Sequence, residues 1–556
     1  MRNWVVHPPF PPELATESNL DPLLIQLLYN RGVTDAGAFE TFIAGDDRLG
    51  HDPFLFPGID RAVTRMQRAL LGDELVAVYG DFDADGVTAA AVLTQGIAEL
   101  GGRVIHYIPH RLDEGHGLNL PALMYLRKQG ANLVITVDCG ITGYAEAEEG
   151  KKLGLDLVIT DHHVPLGPVP PALAALDPKM PGSPYPFREL AGVGVAFKLL
   201  QALFASTGRH GEWDKYLDLV ALGTVADMVP LTGENRYLVK RGLEVLNRSC
   251  RVGILEMIKC AGLQPGKIDA QRMAYALAPR LNASGRLDHA VVSYELLVAE
   301  SKERARELAM ALETNNAERQ RLTAESFADA RQKVLAEGAD LPLLMVSDHD
   351  CPPGVVGVVA GKLVDEFYRP SIVVSIDGDI ARGSARSIRG FNIFEALCEC
   401  RGLLTRFGGH AQAAGFQAPI ANLEELRLRL LDVAGRELSG ADLRPTLTID
   451  VEIPLSRVSG DVYGLISRLA PFGQSNQAPV FLSRNVKVVS ARTIGGNGDH
   501  LKLTLHDGRA VWDAIAFDHG KRELSSYIDA VYNLEVESWS GRELLRLNVL
   551  DFRPAS

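Results

Sequence analysis

Leu75-Val76-Ala77-Val78-Tyr79-Gly80-Asp81-Phe82-Asp83-Ala84-Asp85-Gly86 is the stretch whose reading decides the fold. Leu75 to Tyr79 carry no polar interruption, which suits a strand buried on both faces. Three aspartates at alternate positions follow at once, and Ala89–Leu100 then has helical composition. The arrangement returns twice: Leu133–Val137 ends at Asp138-Cys139-Gly140, and Leu157–Thr160 ends at Asp161-His162-His163. Arg103–Ile108 is a fourth strand-like run, and Pro121–Gln129 is a further helical one. Strand, helix, strand at this spacing predicts an α/β domain with a parallel sheet, whose ligands gather at the carboxyl ends of the strands. All three acidic clusters fall there.

Carboxylate oxygen and imidazole nitrogen suit Mg²⁺ or Mn²⁺, and carboxylates this dense repel one another unless cations lie among them. Taken singly, each motif leaves alternatives open. Asp81-x-Asp83-x-Asp85-Gly86 begins like an EF-hand loop, but the twelfth position, Val92, cannot supply the bidentate Glu. Asp83-x-Asp85-x-Val87 also resembles the nucleophile motif of haloacid-dehalogenase phosphatases, and a turn with a helix cap would use the same letters. Asp138 alone could be a strand-end cap, whereas two histidines behind Asp161 favour metal binding or catalysis. Asp227, inside the apolar run Leu222–Pro230, needs a cation, a proton or hydrogen-bond donors, so a helix end and a metal site both fit. Gly408-Gly409-His410, with Gln412 and Gly415, fits either a close backbone approach to phosphate or base or a tight turn. No G-x-x-x-x-G-K-[ST] occurs, which excludes a P-loop nucleotidase, and Gly192-Val193-Gly194 is too short to indicate a dinucleotide.

A chain of 556 residues needs several cores. Residues 1–50 read as a helical lead-in, with Leu20–Tyr29 apolar and Gly32 as the stop. Residues 51–299 hold the parallel-sheet domain; its part from 190 to 300 is mainly helical and ends in a loop at Arg280–Arg286. Residues 300–338 form one long helix, free of Gly and Pro until Gly338. Residues 339–440 form a smaller α/β domain, with strands at Leu343–Val346 and Ser371–Ser375 and helices at Val355–Phe367 and Ile393–Cys400. From 441 to 556 the period is two. Strands are expected at Thr446–Ile453, Val480–Val489, His500–Leu505, Val511–Phe517 and Tyr532–Glu537, with a hairpin turn at Asp507-Gly508. Five such strands suit an OB-like β-barrel, a sandwich being the alternative.

No apolar run approaches the roughly 20 residues of a membrane span, and the prolines and His7 near Met1 do not suit a signal peptide, so a cytoplasmic protein without membrane partners is expected. Cys139, Cys250, Cys260, Cys351, Cys398 and Cys400 show no zinc spacing and are expected as reduced thiols. The net charge of −13 argues against non-specific coating of nucleic acid but not against a nuclease with a local basic groove.

In their order and spacing the motifs resemble the DHH phosphoesterase superfamily. They are GDFDADG (80–86), VDCG (137–140), DHH (161–163), GTVADMVPL (223–231), RLNASGR (280–286), GSARS (383–387) and GGHAQAAG (408–415). Within the superfamily the chain is similar to the branch of single-strand-specific 5′→3′ DNA exonucleases that add a DHHA1 domain and a terminal OB-like part. The resemblance implies two divalent cations, Mn²⁺ or Mg²⁺, the first held by Asp81, Asp83 and Asp138, the second by Asp85, Asp138, His162 and Asp227. Asp138 would bridge, and His163 would face the scissile phosphate. It further implies that Arg111, Ser384 and Arg386 receive a 5′ phosphate, with Arg280, Asn282 and His410 near the nucleotide. Tyr79 departs from the pattern, since many relatives place a His there; the segment Phe472–Gln477 is a drifted form of the family's junction sequence.

Physical chemistry agrees with that assignment. Five carboxylates against two divalent ions leave roughly one net negative charge, so arginines with bidentate donors are needed to attract phosphate. The expected substrate is single-stranded DNA with a 5′ end, cleaved to mononucleotides in repair and recombination by a monomer. Single-strand-binding protein and a helicase are the implied collaborators, and the barrel would add base stacking, on Trp512 or other exposed aromatics. Two other functions share these motifs: a DHH phosphoesterase for oligonucleotides, cyclic dinucleotides or pyrophosphate, and a non-catalytic nucleic-acid-binding factor.

Overall fold

The computed structural model describes residues 2–111, 113–248, 251–539 and 542–555, so the expectation for Cys250 lies outside the described residues. The chain divides into two units. The first comprises Arg2–Asn282, Ala290–Met310 and the chain from Thr446 onward; the second comprises Ala283–His289 and Ala311–Pro445.

The first unit opens on a strand, β1 (Asn3–Val6), ahead of the expected helices. Helix Pro22–Asn30 is capped by the Asp21 carboxylate, which accepts from the Leu23 amide at 2.8 Å, and ends before Gly32, whose φ of 78° only glycine adopts readily. The parallel sheet follows, built from β2 (Leu75–Gly80), β3 (Arg103–Tyr107), β4 (Ala131–Val137), β5 (Asp156–Thr160) and the unanticipated β6 (Ala174–Leu176). Their order is β3-β2-β4-β5-β6, every pairing parallel. Because β3 and β4 lie on opposite sides of β2, the chain reverses direction there and leaves a crevice at the strand ends. Asp81 leaves β2 and Asp138 leaves β4 at that point.

The stretch Arg280–Arg286 is not a loop. It lies within helix Ala278–Leu287, entered through a π-helical turn at Met273–Leu277. Asn, Ser and Gly read as loop formers, but Leu281 is buried and its carbonyl accepts from Ser293 Oγ at 2.9 Å, so packing overrides local preference.

Helix Lys302–Glu337 carries the chain into the second unit. Strands β7 (Leu344–Asp348), β8 (Ser371–Asp377), β9 (Ile380–Arg386), β10 (Arg406–His410) and β11 (Ala413–Pro419) form a sheet in the order β10-β11-β9-β8-β7, with only β7 and β8 parallel. Gly408-Gly409-His410 is therefore a strand paired with β11. Gly409 has φ 144°, and a Cβ there would lie 2.4 Å from the Ala413 carbonyl oxygen.

In the terminal part of the first unit, β12 (Thr446–Ile449) pairs in parallel with β1 rather than entering the barrel. The break comes at Asp450, whose carboxylate accepts from Val480 N at 2.9 Å and Asn30 Nδ2 at 3.0 Å. Strands β13 (Val451–Glu452), β14 (Phe481–Ile494), β15 (His500–His506), β16 (Val511–Ala516), β17 (Tyr527–Trp539) and β18 (Arg542–Pro554) run in the order β13-β14-β15-β16-β18-β17. Pairing of β14 with β17, Phe481 opposite Tyr532, closes an OB-like barrel. The Asp507-Gly508 turn joins β15 to β16 as expected, with Asp507 accepting from Arg509 N and Ala510 N at 3.0 and 2.9 Å. Strand β18 escapes sequence reading because charges interrupt its alternation. Trp512 is half-buried against the barrel core rather than an open stacking platform. Cys139, Cys351, Cys398 and Cys400 are free thiols, and no helix among the described residues is long and apolar enough to cross a membrane.

One buried cation ties this unit together. Arg236 is fully buried and donates to the carbonyls of Phe42 at 2.6 Å, Leu469 at 2.8 Å and Ala470 at 2.8 Å, with its guanidinium 4.3 Å from the Phe42 ring centre. Burial pushes its pKa down to about 10, so it stays charged at neutral pH. Arg236→Leu strands three carbonyls and should destabilise this unit by about 3 kcal/mol or more, read as earlier unfolding in urea.

Candidate metal centre

Each acidic cluster is aimed by local backbone chemistry. Asp83 caps helix Ala84–Glu99, its carboxylate accepting from Asp85 N at 2.9 Å and Gly86 N at 3.1 Å. Gly86 is obligatory, because a Cβ there would lie 2.6 Å from the Asp81 nitrogen. Asp138 has φ 60°, a conformation that costs a non-glycine residue about 1–3 kcal/mol and recurs at functional sites. Its amide donates to the Thr160 carbonyl at 3.0 Å, which turns the side chain out of the sheet.

Asp161 proves to be a bracket rather than a donor to the cluster. Its carboxylate accepts from the amides of Ile141 (2.9 Å), His162 (2.7 Å) and His163 (3.1 Å), and lies 2.8 Å from His163 Nδ1. It thereby fixes the His163 ring and the backbone of His162. Burial and the neighbouring His163 push His162 down to about 3, leaving it neutral with a lone pair to offer. Burial opposes charge on His163 as well, but the Asp161 hydrogen bond and charge prevail and raise it to about 9.

Asp81, Asp83, Asp85, Asp138, His162, His163 and Asp227 lie close together. His162 Nε2 lies 3.1 Å from Asp138 Oδ1, 3.6 Å from Asp227 Oδ2 and 4.0 Å from Asp85 Oδ2. Three sets each have ligand atoms within 4.8 Å of one another: Asp81, Asp83 and Asp138; Asp85, His162 and Asp227; Asp138, His162 and His163. Asp138 belongs to two of them. Asp227 sits at the C-terminal end of helix Leu217–Ala226, so the helix-end and cluster readings both hold.

These residues fit divalent cations. Among the described residues neither Asp81 oxygen, nor Asp138 Oδ1, nor His162 Nε2 has a hydrogen-bond partner, although all are buried. Burial and the charge of its neighbours raise the Asp138 and Asp227 carboxyls well above the usual range, and burial with Asp83 lifts Asp85 to about 7. Buried acids left unpartnered and mutually repelling must take up protons or have cations among them, and a cluster of this many oxygens and one neutral imidazole suits cations.

Two supports go beyond what the sequence reading assigned. The helix Gly192–Ser206 points its N-terminus at Asp85, whose carboxylate accepts from Gly192 N at 2.7 Å and Val193 N at 2.8 Å. Gly192 also lets Asp138 pass: a Cβ there would lie 2.5 Å from Asp138 Oδ1. The Gly192-Val193-Gly194 sequence opening an apolar helix was the available signal.

The remaining expected residues fall in two groups. In the first unit, the Arg111 guanidinium lies 4.9 Å from the Phe82 ring centre, Asn282 Oδ1 accepts from Ala84 N at 2.8 Å, and Arg280 donates to the Ala276 carbonyl at 2.7 Å. Asn282 thus braces the loop bearing Asp81 and Asp83. In the second unit, Arg386 Nη1 donates to Ser384 Oγ at 3.1 Å, and the register places Arg386, Ala413 and His410 side by side across β9, β11 and β10. Gly357 makes room for both side chains, since a Cβ there would lie 2.9 Å from Arg386 Nη2 and 3.0 Å from Ser384 Oγ.

Family models match the chain in three places: the DHH family N-terminal domain over residues 75–224, the DHHA1 domain over 338–435 and the RecJ OB domain over 449–551. The single-stranded-DNA-specific exonuclease RecJ of Bacillus subtilis is 39% identical over 97% of this chain and 69% of its own length. That of Dickeya dadantii is 34% identical over 96% of each chain. The chain belongs to the RecJ family. The crystal structure of RecJ from Thermus thermophilus in complex with Mn²⁺ superposes with a TM-score of 0.86 at 29% identity, covering 100% of this chain and 80% of that one. The Mg²⁺ complex of the same RecJ gives 0.80 at 28% identity over 100% of this chain and 79% of that one.

Two outcomes are expected of the centre. Gly192→Ala should displace the Asp138 carboxylate and abolish tight Mn²⁺ uptake in calorimetric titration while far-UV circular dichroism stays unchanged. In EDTA, stability should fall as the pH rises from about 7.5 to about 9, because over that range folded His163 (about 9) still holds a proton the unfolded chain has released, while folded Asp85 (about 7) gives up the last of its own. His162, pushed down to about 3, works in the opposite sense only below that range, where the unfolded imidazole still binds part of a proton. Saturating Mn²⁺ should flatten the dependence in thermal melts.

Proposed function

We propose that this RecJ-family chain is a metal-dependent exonuclease that degrades single-stranded DNA from the 5′ end to mononucleotides, in repair and recombination. The observation that carries the reading is the convergence of Asp81, Asp83, Asp85, Asp138, His162 and Asp227 at the reversal point of the parallel sheet. Asp81, Asp83 and Asp138 would hold one Mn²⁺ or Mg²⁺ ion, and Asp85, Asp138, His162 and Asp227 a second. Bound there, the two ions supply charge stabilisation for the phosphoryl oxygens and acidify the attacking water.

The chain's own groups do the rest. His163, charged at neutral pH, has Nδ1 engaged by Asp161 and keeps Nε2 for a phosphate oxygen. Asp161 prevents the ring from turning. Arg111, Ser384 and Arg386 would receive the terminal 5′ phosphate, with Arg280, Asn282 and His410 beside the nucleotide. A 5′-phosphate pocket sets the polarity of digestion, and the barrel extends the grip on the strand. Cytoplasmic action as a monomer, on strands exposed by a helicase and covered by single-strand-binding protein, belongs to the same proposal and is supported by family membership alone.

Single strands labelled at either end, incubated with Mn²⁺ or Mg²⁺, should release labelled mononucleotide at once from the 5′ end; initial release from the 3′ end only would reject the assignment. Asp138→Ala should lower turnover on the order of a thousandfold without unfolding the chain. Arg386→Ala should slow digestion of 5′-phosphorylated strands by about tenfold or more and affect hydroxyl ends far less.

A further inference from the structure

Phe472–Gln477, a segment that the two-cation reading leaves without a role, lies against the turn that follows Asp227. Helix Leu217–Ala226 ends at Asp227, whose amide donates to the Gly223 carbonyl at 2.9 Å. The chain then bends sharply, with Met228 exposed and at φ 60°. That conformation is costly for a residue with a Cβ, so groups outside the turn must hold it. Two contacts do so. Fully buried Asn235 donates from Nδ2 to the Pro230 carbonyl at 3.0 Å and to the Glu189 carbonyl at 2.5 Å. Leu231, itself buried, donates its amide to the Gln474 carbonyl at 2.8 Å.

Gln474 is a fixed point. It stands in a tight turn closed by Gly473 N to the Asn476 carbonyl at 3.0 Å and by Asn476 N to the Gly473 carbonyl at 3.1 Å, with Ser475 at φ 59°. Fully buried Asn476 pins this turn, donating to the carbonyls of Leu469 at 2.9 Å and Pro471 at 2.8 Å and accepting from Arg31 Nε at 2.7 Å. Arg236 also holds the Leu469 and Ala470 carbonyls. Gly473 fits closely, since a Cβ there would lie 2.6 Å from Leu231 Cδ1. The rigid segment that leads into β14 thus reaches back to the chain just past Asp227.

We propose that the Gly473–Asn476 turn is a positioning element of the second cation site, which through Leu231 keeps Asp227 beside Asp85 and His162. The inference rests on the two-cation reading but concerns how one ligand of one ion is held. Asp81, Asp83 and Asp138 have supports of their own in Asn282, the cap of helix Ala84–Glu99 and the Thr160 carbonyl, so the first ion should not feel the turn.

The test is Mn²⁺ binding to the full chain without DNA, measured by calorimetry and by electron spin-echo modulation from ¹⁴N. Of the two sites as assigned, only the second contains an imidazole, His162, so nitrogen coupling marks that ion. Wild type should bind two Mn²⁺ ions, one of them nitrogen-coupled. Gly473→Ala should weaken the nitrogen-coupled ion by about tenfold and leave the other unchanged, with far-UV circular dichroism as in wild type. Adding Leu231→Ala removes the atom that the new methyl meets and should restore most of the lost affinity. With wild type still binding two ions, no loss in Gly473→Ala, an equal loss of both ions, or a loss that Leu231→Ala does not relieve would overturn the positioning role alone. A wild-type chain that binds no Mn²⁺ would overturn it together with the reading on which it rests.

Discussion

Mutual repulsion among buried carboxylates is the constraint around which the first unit is organised. Asp81, Asp85 and Asp138 are almost wholly enclosed, and the structure offers them few protein donors. What it does offer is selective. Asp85 receives two amides from the start of a helix, and Asp83 receives two from the start of its own, while Asp81 and the Oδ1 atom of Asp138 are left bare. The bare atoms are those that face one another. Donors are thus spent on orienting the carboxylates, and neutralisation is left to cations from solution.

The parts of this design that could be read from residue order are those governed by short-range periodicity. Apolar runs ending in Asp81, Asp138 and Asp161 announce parallel strands, and their carboxyl ends in turn announce a shared site. What escaped depends on partners distant in the chain. Asp161 has the same letter and the same strand-end position as Asp138, yet three amides make it a bracket while Asp138 stays open. The RLNASGR segment reads as a loop by its side chains and is helical by its packing. Gly192 looks like an ordinary helix start until the Asp138 side chain is seen passing over it. The Arg236 anchor gave no sign of itself, since an arginine in a helix of mixed charge is ordinarily a solvated face.

The second unit shows a different economy. Its sheet sets Ser384 and Arg386 two residues apart on one face of β9, and glycines at 357, 408 and 415 keep neighbouring side chains from filling the space. Polar groups on a rigid strand next to bare backbone make a surface that an anion can approach closely without any rearrangement.

The pairing of β1 with β12 couples residues 3–6 to residues 446–449. During synthesis residues 3–6 must wait unpaired until roughly 440 further residues have been made. Domains fold as they leave the ribosome, so the central sheet forms long before this two-stranded seam can close. Residues 3–6 are thus among the last of the first unit to find their place, and a chain truncated before Thr446 keeps an unpaired strand available to others.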